Sequence, residues 1–201
     1  MVSAIVLAAG MSTRLDKDKS KQLLSLGKKT IIETVINKLL ASEVEEIIVV
    51  VGYQAGMIRS LIQSKEVKIC YNKDYKLGQS TSLKKGLLSI ASNCKAILCV
   101  LADQPLVRKE TINQLITEFK VEGELIVAPE YKEHRGNPVL FSADLKSEML
   151  KISGDRGARD LIDKYRKQSK LIKVDDQGVI FDVDTKEDYL RLLIKHIYRL
   201  L

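Results

Sequence analysis

Short, continuously apolar runs alternate with amphipathic helical patterns from residue 3 to residue 129, and few folds accommodate that alternation. "SAIVLAA" (3–9), "EEIIVVVG" (45–52), a run at 67–71, "KAILCVLAD" (95–103) and "ELIVAP" (124–129) read as strands. Between them, "TIIETVINKLLAS" (30–42), a short stretch near 55–63, "STSLKKGLLSIA" (80–91) and 109–120 read as helices. Strands without polar alternation are buried on both faces, and the intervening helices supply the cover. The expected fold is α/β: a three-layer α/β/α arrangement around a mostly parallel, Rossmann-like sheet. Thr30 and Glu33 form a capping box at the first helix.

The rhythm changes after residue 129. "EYKEHRGNPVLFS" (130–142) reads as a loop and an edge strand, because Pro138 cannot donate in a central one. Helices are expected near 142–150, 156–168 and 186–200. "SKLIKVD" (169–175) and "GVIFDVD" (178–184) read as a hairpin about Asp176–Gly178. With 201 residues, 45% hydrophobic and 29% charged, residues 1–201 suit a single domain with an irregular segment around 130–160. No apolar run approaches the roughly 18 residues of a membrane span. The first run lacks the basic flank of a signal peptide, so a cytoplasmic protein without membrane association is expected. Three cysteines in no metal-ligand or paired spacing argue against zinc and disulfides. The net charge of +7 favours an anionic partner. Scattered lysines and 5% aromatics argue against nucleic acid.

Chemistry concentrates at two strand ends. In "LAAGMSTR" (7–14) the nearly side-chain-free Ala8, Ala9 and Gly10 let backbone N–H groups approach a polyanion, and Arg14 and Lys21 follow as cations. This is neither a P-loop nor a dinucleotide fingerprint; a tight turn before a basic loop is the plainer alternative. In "LADQP" (101–105), Asp103 ends the most apolar strand, where open parallel sheets bind ligands. A carboxylate there suits Mg²⁺, and an N-cap for the next helix is the plainer role. Asp182 and Asp184, two apart, share one face if their segment is a strand. Thr185 and Asp188 read as the cap of the last helix.

Six motifs occur in one order: "LAAGMSTR" with Lys21, "GQSTSLKKGL" (78–87), "LADQPLV", "RGNPVLFS" (135–142), "GDRGARDLI" (154–162) and "DVDTKEDY" (182–189). Together they resemble the molybdenum cofactor cytidylyltransferases, within the nucleotidyltransferases of the glycosyltransferase-A type. The resemblance implies that Leu7, Ala8, Ala9, Gly10, Ser12 and Arg14 cradle a triphosphate. It implies that Lys21 neutralises the α- and β-phosphates and that Ser82 faces the nucleobase. Asp103 and Asp184 would bind Mg²⁺, with Arg14, Lys21 and Asp103 as the catalytic set. Gly136, Asn137 and Pro138, with Asp155, Arg156, Gly157 and Arg159, would meet a pterin acceptor. The alanine at position 9 is similar to members that use CTP.

The implied reaction is transfer of CMP from CTP to the phosphate of molybdopterin or molybdenum cofactor, releasing pyrophosphate. A molybdenum hydroxylase would receive the product. A phosphate monoester is largely dianionic at neutral pH, its second pKa being about 6, so no general base is required. His134 and His196 lie in no motif that resembles one. Competing readings are a sugar or alditol phosphate as acceptor, and a non-catalytic accessory protein that binds nucleotide or cofactor.

Overall fold

The computed structural model describes residues 1–11, 15, 20–122, 124–154 and 158–198. Its strands are β1 (Val2–Ala8), β2 (Ser25–Leu26), β3 (Lys29–Thr30), β4 (Glu46–Val51), β5 (Lys68–Tyr71), β6 (Ala96–Leu101), β7 (Ile126–Tyr131), β8 (His134–Arg135), β9 (Val139–Ser142) and β10 (Ser169–Lys173). The helices are α1 (Ile31–Leu40), α2 (Ala55–Ile62), α3 (Gln79–Leu87), α4 (Lys109–Glu122), α5 (Lys146–Met149), α6 (Arg159–Lys164) and α7 (Lys186–Tyr198). The main sheet runs β10-β7-β9-β6-β1-β4-β5, with β8 paired to β7; β2 and β3 form a separate antiparallel pair.

β1 lies between β4 and β6 and is parallel to both. From β1 the chain builds outward through β4 and β5, then crosses back to lay β6 on the other flank of β1. That crossing is a topological switch point, and it leaves a crevice beyond the carboxyl ends of β1 and β6. Register puts the two ends side by side, Leu7 opposite Leu101. The glycine turn and Asp103 are therefore neighbours, although ninety-odd positions separate them in the chain.

Successive residues of β1 feed opposite faces of the sheet, as the period of two requires. Ala4, Val6 and Ala8 join Ile32, Val35 and Ile36 of α1, Ile58 and Ile62 of α2, and Leu115 and Ile116 of α4. Ile5 joins Leu83 and Leu87 of α3, Met149 of α5, and Leu161 and Ile162 of α6. These are the three layers. Each fully buried Ile or Leu contributes about 1.5–3 kcal/mol. Close approach of α3 to β1 depends on Gly86, where a Cβ would come within 2.4 Å of Ile5 Cγ2. Helix α1 starts as expected: Thr30 Oγ1 accepts from Glu33 N, and Glu33 accepts from Thr30 N at 2.8 Å. Burial opposes ionisation of Glu33, but the hydrogen bonds from Thr30 hold its carboxyl below the usual range.

Two expectations are corrected. The strand after Pro138 is internal: β9 lies between β6 and β7 and is antiparallel to both. Pro138 immediately precedes Val139, so it takes no position in the ladder and its missing N–H costs no sheet bond. The hairpin at 169–184 does not form. β10 is an edge strand parallel to β7, and residues 177–180 make a 3₁₀ turn. The physical reason is Asp176, buried at 1% exposure. Its carboxylate accepts from Gly178 N at 3.0 Å, Arg108 N at 2.8 Å and Thr111 Oγ1 at 2.8 Å. The chain is thereby tied to the start of α4 rather than folded back on β10. Asp182 and Asp184 consequently lie in irregular backbone, not on one face of a strand. Thr185 and Asp188 do cap α7, with Asp188 N donating to Thr185 Oγ1 at 3.1 Å and Thr185 N to Asp188 Oδ2 at 3.0 Å.

Candidate active site

The crevice beyond β1 and β6 holds a cavity of about 370 Å³ whose walls include Ala9, Gly10, Lys21, Tyr75, Ser82 and Asp103. β1 delivers Ala9 and Gly10 directly. A 3₁₀ turn, Lys21–Leu23, delivers the lysine, and Ser20 N anchors that turn by donating to Gln54 Oε1 at 2.8 Å. Helix α3 supplies Ser82. Of the other residues expected at the nucleotide, Leu7 lines the cavity, whereas Ala8 is fully buried in the core. Ser12 and Arg14 lie outside the described residues.

Lys21 is the electrostatic centre. Its Nζ lies 2.5 Å from Asp103 Oδ2 and 2.7 Å from Asp184 Oδ1. Burial disfavours the ammonium, but the Asp103 and Asp184 carboxylates outweigh it and raise the lysine pKa. Asp182 stands close by and takes a hydrogen bond from Gln104 Nε2 at 2.6 Å. Burial and the negative charges of Asp103 and Asp184 push its carboxyl up, while the bond from Gln104 and the charge of Lys21 oppose them. Three carboxylates thus crowd around one ammonium.

Asp184 arrives on the segment that follows the Asp176 turn. That segment is stitched across the end of β6: Val183 N donates to Asp103 O at 3.1 Å, and Gln104 Nε2 reaches Val179 O at 3.3 Å. The N-cap alternative for Asp103 fails, because α4 begins only at Lys109. Asp103 Oδ1 is buried and, among the described residues, has no hydrogen-bond partner. An orphaned carboxylate oxygen beside a second carboxylate is a donor set for a hard cation. No group of three or more His, Cys, Asp or Glu among the described residues is placed to hold a metal alone. Mg²⁺ commonly takes only one or two protein carboxylates and completes its shell with phosphates and water, so the residues present fit that ion.

A second cavity, of about 230 Å³, adjoins the first and shares Leu7, Gln79 and Leu101 with it. Gly136, Asn137 and Arg159 line it, joined by Arg135, and Leu83, Val139, Phe141 and Ile162 add apolar surface. Pro138 does not line it and faces a small void with Val35, Lys38 and Val107 instead. Asp155, Arg156 and Gly157 lie outside the described residues. Cys99 shows an edge to this cavity, and burial pushes its thiol up to about 12, which leaves it an inert part of the floor. All three cysteines are free thiols.

Sequence reasoning missed Gln104, Tyr75 and Arg135. Both histidines stand apart: His134 is exposed on β8, and His196 packs against Gly27. No helix among the described residues is long and apolar enough to cross a membrane.

Fold and crevice together fit a class: α/β enzymes with a ligand crevice at the switch point of the sheet. The chain belongs to the MobA-like NTP transferase family, whose domain profile matches residues 4–170. The protein is a nucleotidyltransferase of that family. It is 29% identical over 201 residues to a nicotine blue oxidoreductase of Paenarthrobacter nicotinovorans, covering 96% of each chain. The solved homolog of Rv0371c from Mycobacterium sp. strain JC1 is 30% identical, covering 100% of this chain and 98% of the other, with a TM-score of 0.87. A manganese complex of Rv0371c from Mycobacterium tuberculosis is 26% identical, covering 96% of this chain and 98% of that one, with a TM-score of 0.82.

Proposed function

We propose that this nucleotidyltransferase moves CMP from CTP to the phosphate of molybdopterin or molybdenum cofactor and releases pyrophosphate. The observation that carries the reading is the pair of adjoining cavities, with the Lys21–Asp103–Asp184 cluster on the first. The first cavity, with Lys21, Asp103 and the glycine turn in its lining, suits a nucleoside triphosphate. The second, with Leu83, Val139 and Phe141 beside Arg135 and Arg159 in its lining, suits a flat ring system carrying a phosphate. The alanine at position 9 and the placement of Ser82 favour CTP among the four triphosphates.

In the reaction, an acceptor phosphate oxygen forms a bond to the α-phosphorus. The bond to the bridging oxygen breaks, and its electron pair leaves on pyrophosphate. The acceptor is already largely dianionic at neutral pH, so no side chain need remove a proton. What the chain must do is hold two polyanions together. Lys21 supplies one fixed charge, and the backbone N–H groups of the glycine turn supply dipoles. Asp103 Oδ1 and Asp184 would hold Mg²⁺, which when bound adds charge neutralisation at the phosphate oxygens. That the M. tuberculosis relative forms a manganese complex supports the use of a divalent ion. A molybdenum hydroxylase is the expected recipient of the product.

Incubation with each triphosphate, Mg²⁺ and molybdopterin tests the reading. Pyrophosphate and a cytosine dinucleotide are expected. Turnover with GTP in preference to CTP, or with a sugar phosphate and not the pterin, would overturn it. Similarity to the nicotine blue enzyme along 96% of both chains favours a second reading, in which the 230 Å³ cavity takes a planar pigment. Reduction of nicotine blue by the purified chain with a hydride donor, without pyrophosphate release from any triphosphate, would select that reading.

A further inference from the structure

Helix α2 begins at Ala55, and the residue before it breaks both habits of that position. A helix N-cap ordinarily lies in extended backbone and turns its side chain onto the first N–H groups of its own helix. Gln54 is left-handed, at φ 50° and ψ 33°, and makes no side-chain cap bond. Glycine adopts that backbone freely, whereas a residue with a Cβ is strained in it. The side chain serves another element: its Oε1 accepts from Ser20 N at 2.8 Å. Ser20 is fully buried and immediately precedes Lys21. Its carbonyl accepts from Leu23 N at 2.9 Å, which closes the 3₁₀ turn, and Leu23 is seated in the core. The core thus holds the far end of the turn and Gln54 the near one. The neighbouring residue belongs to the same brace, since Tyr53 N donates to Ala9 O at 3.1 Å beside the glycine turn. Residues 53 and 54 therefore tie together the two parts of the first cavity that face a polyanion.

We infer that Gln54 is a positioning residue for Lys21: its side-chain carbonyl fixes Ser20, and with it the root of the lysine, relative to the glycine turn. The inference rests on the triphosphate reading of the first cavity and extends it to a residue outside that cavity's lining. Strain of this kind persists only where the surroundings over-determine it, and it gathers at ligand clamps. Gln54→Gly removes the strain and the acceptor together. Gln54→Met keeps the strain and most of the volume but removes the acceptor.

The test is calorimetric affinity for CTP and for inorganic tripolyphosphate, each with Mg²⁺, together with the melting temperature. It compares wild type, Gln54→Gly, Gln54→Met, Lys21→Met and the Gln54→Met/Lys21→Met double variant. Loss of one neutral hydrogen bond should weaken both ligands about threefold to tenfold in each position-54 variant. Gln54→Gly should nonetheless melt about 2–4 °C above Gln54→Met, because its backbone is relaxed. A merely structural role ties affinity to stability, so Gln54→Gly would then bind better than Gln54→Met. The double variant should lose no more affinity than Lys21→Met alone, since Gln54 acts through the lysine. Should Gln54→Gly not fold, Gln54→Met must still weaken binding and must not add to Lys21→Met. Unchanged affinity in the position-54 variants, a loss that follows the melting order, or additive losses would overturn the inference. Wild type that binds neither ligand overturns the triphosphate reading and the inference with it. Wild type that binds tripolyphosphate but not CTP overturns only the choice of nucleotide, and tripolyphosphate then decides the inference.

Discussion

Replacing Lys21 with Met removes the ammonium that, among the described residues, separates Asp103, Asp182 and Asp184 while keeping much of the side chain's volume. The Lys21 side chain is 12% exposed, against 16% for Asp103 and 29% for Asp184, so solvent replaces little of what is lost. Breaking a pair this buried costs about 3 kcal/mol, the lower end for buried ion pairs. At about 2–4 °C per kcal/mol for a chain of this size, melting should fall by about 6–12 °C near neutral pH. The sign of the pH dependence follows from which groups remain. Lys21 has its pKa raised in the folded state, so its stabilisation is present at all pH values below about 10.4. Asp182 is already pushed up, and the opposing charge of Lys21 is gone in the variant. A carboxyl raised on folding costs stability at high pH, and the cost fades as pH falls through its folded value toward about 3.9. The gap between wild type and Lys21→Met should therefore be wide near pH 7 and narrower near about pH 5. Mn²⁺ or Mg²⁺ should raise the melting point of the variant more than that of wild type, because the ion no longer competes with an ammonium. Turnover should nonetheless drop by about 10²–10³-fold. Differential scanning calorimetry at both pH values, with and without metal, reads all three terms. A gap that does not change with pH, or equal metal stabilisation of both proteins, would refute the account of three carboxylates sharing one cation.

Asp103→Asn should keep the fold and abolish metal-dependent pyrophosphate release, since the amide preserves shape but removes the anionic ligand; near-normal turnover in a folded variant would dismiss Asp103 as a ligand. Arg159→Ala should raise KM for the pterin acceptor severalfold and leave that for CTP nearly unchanged, and steady-state kinetics varying one substrate at a time decides it. Gly178→Ala places a Cβ 2.4 Å from the Leu106 carbonyl carbon, backbone that cannot step aside. Melting should fall by an amount corresponding to about 1–3 kcal/mol, with metal-dependent activity lost alongside because the segment carrying Asp184 moves off the end of β6.

Much of the fold is legible because its signals are local. The capping box of Thr30 and Glu33, the uninterrupted apolar runs of β1, β4 and β6, and the helical spacing of α1 each name an element without reference to the rest of the chain. β9 is legible as a strand in "VLFS", and only its place inside the sheet is not. Pro138 weighed against a central position only if it lay within the ladder, and it lies one residue outside. The false hairpin had the opposite cause. "SKLIKVD" and "GVIFDVD" carry strand-like composition on both sides of a turn, but Asp176 spends its carboxylate on Arg108, Thr111 and Gly178. No local pattern announces that a turn residue is committed to a helix start sixty-odd positions earlier.

The site divides along the same line. Asp103 is legible because a carboxylate closing the most apolar run falls where an open parallel sheet binds its ligand. The partnership of Lys21 with Asp184 was not legible, since 163 positions separate them and neither belongs to a regular element that dictates the meeting. It is produced by steric permission at two glycines. Gly178 lets the 176–184 segment lie against Leu106, and Gly136 lets the loop before β9 lie against Val179, where a Cβ would come within 2.5 Å of the carbonyl oxygen. Asn137 N then donates to Val179 O at 2.8 Å. One segment is thus pinned to the loop lining the second cavity at Val179 and to the end of β6 at Val183, and it carries Asp184 to Lys21. Four residues of backbone separate Val179, which the second cavity's loop holds, from Asp184 at the first. One segment of chain therefore borders both cavities and is fixed at each by a backbone hydrogen bond.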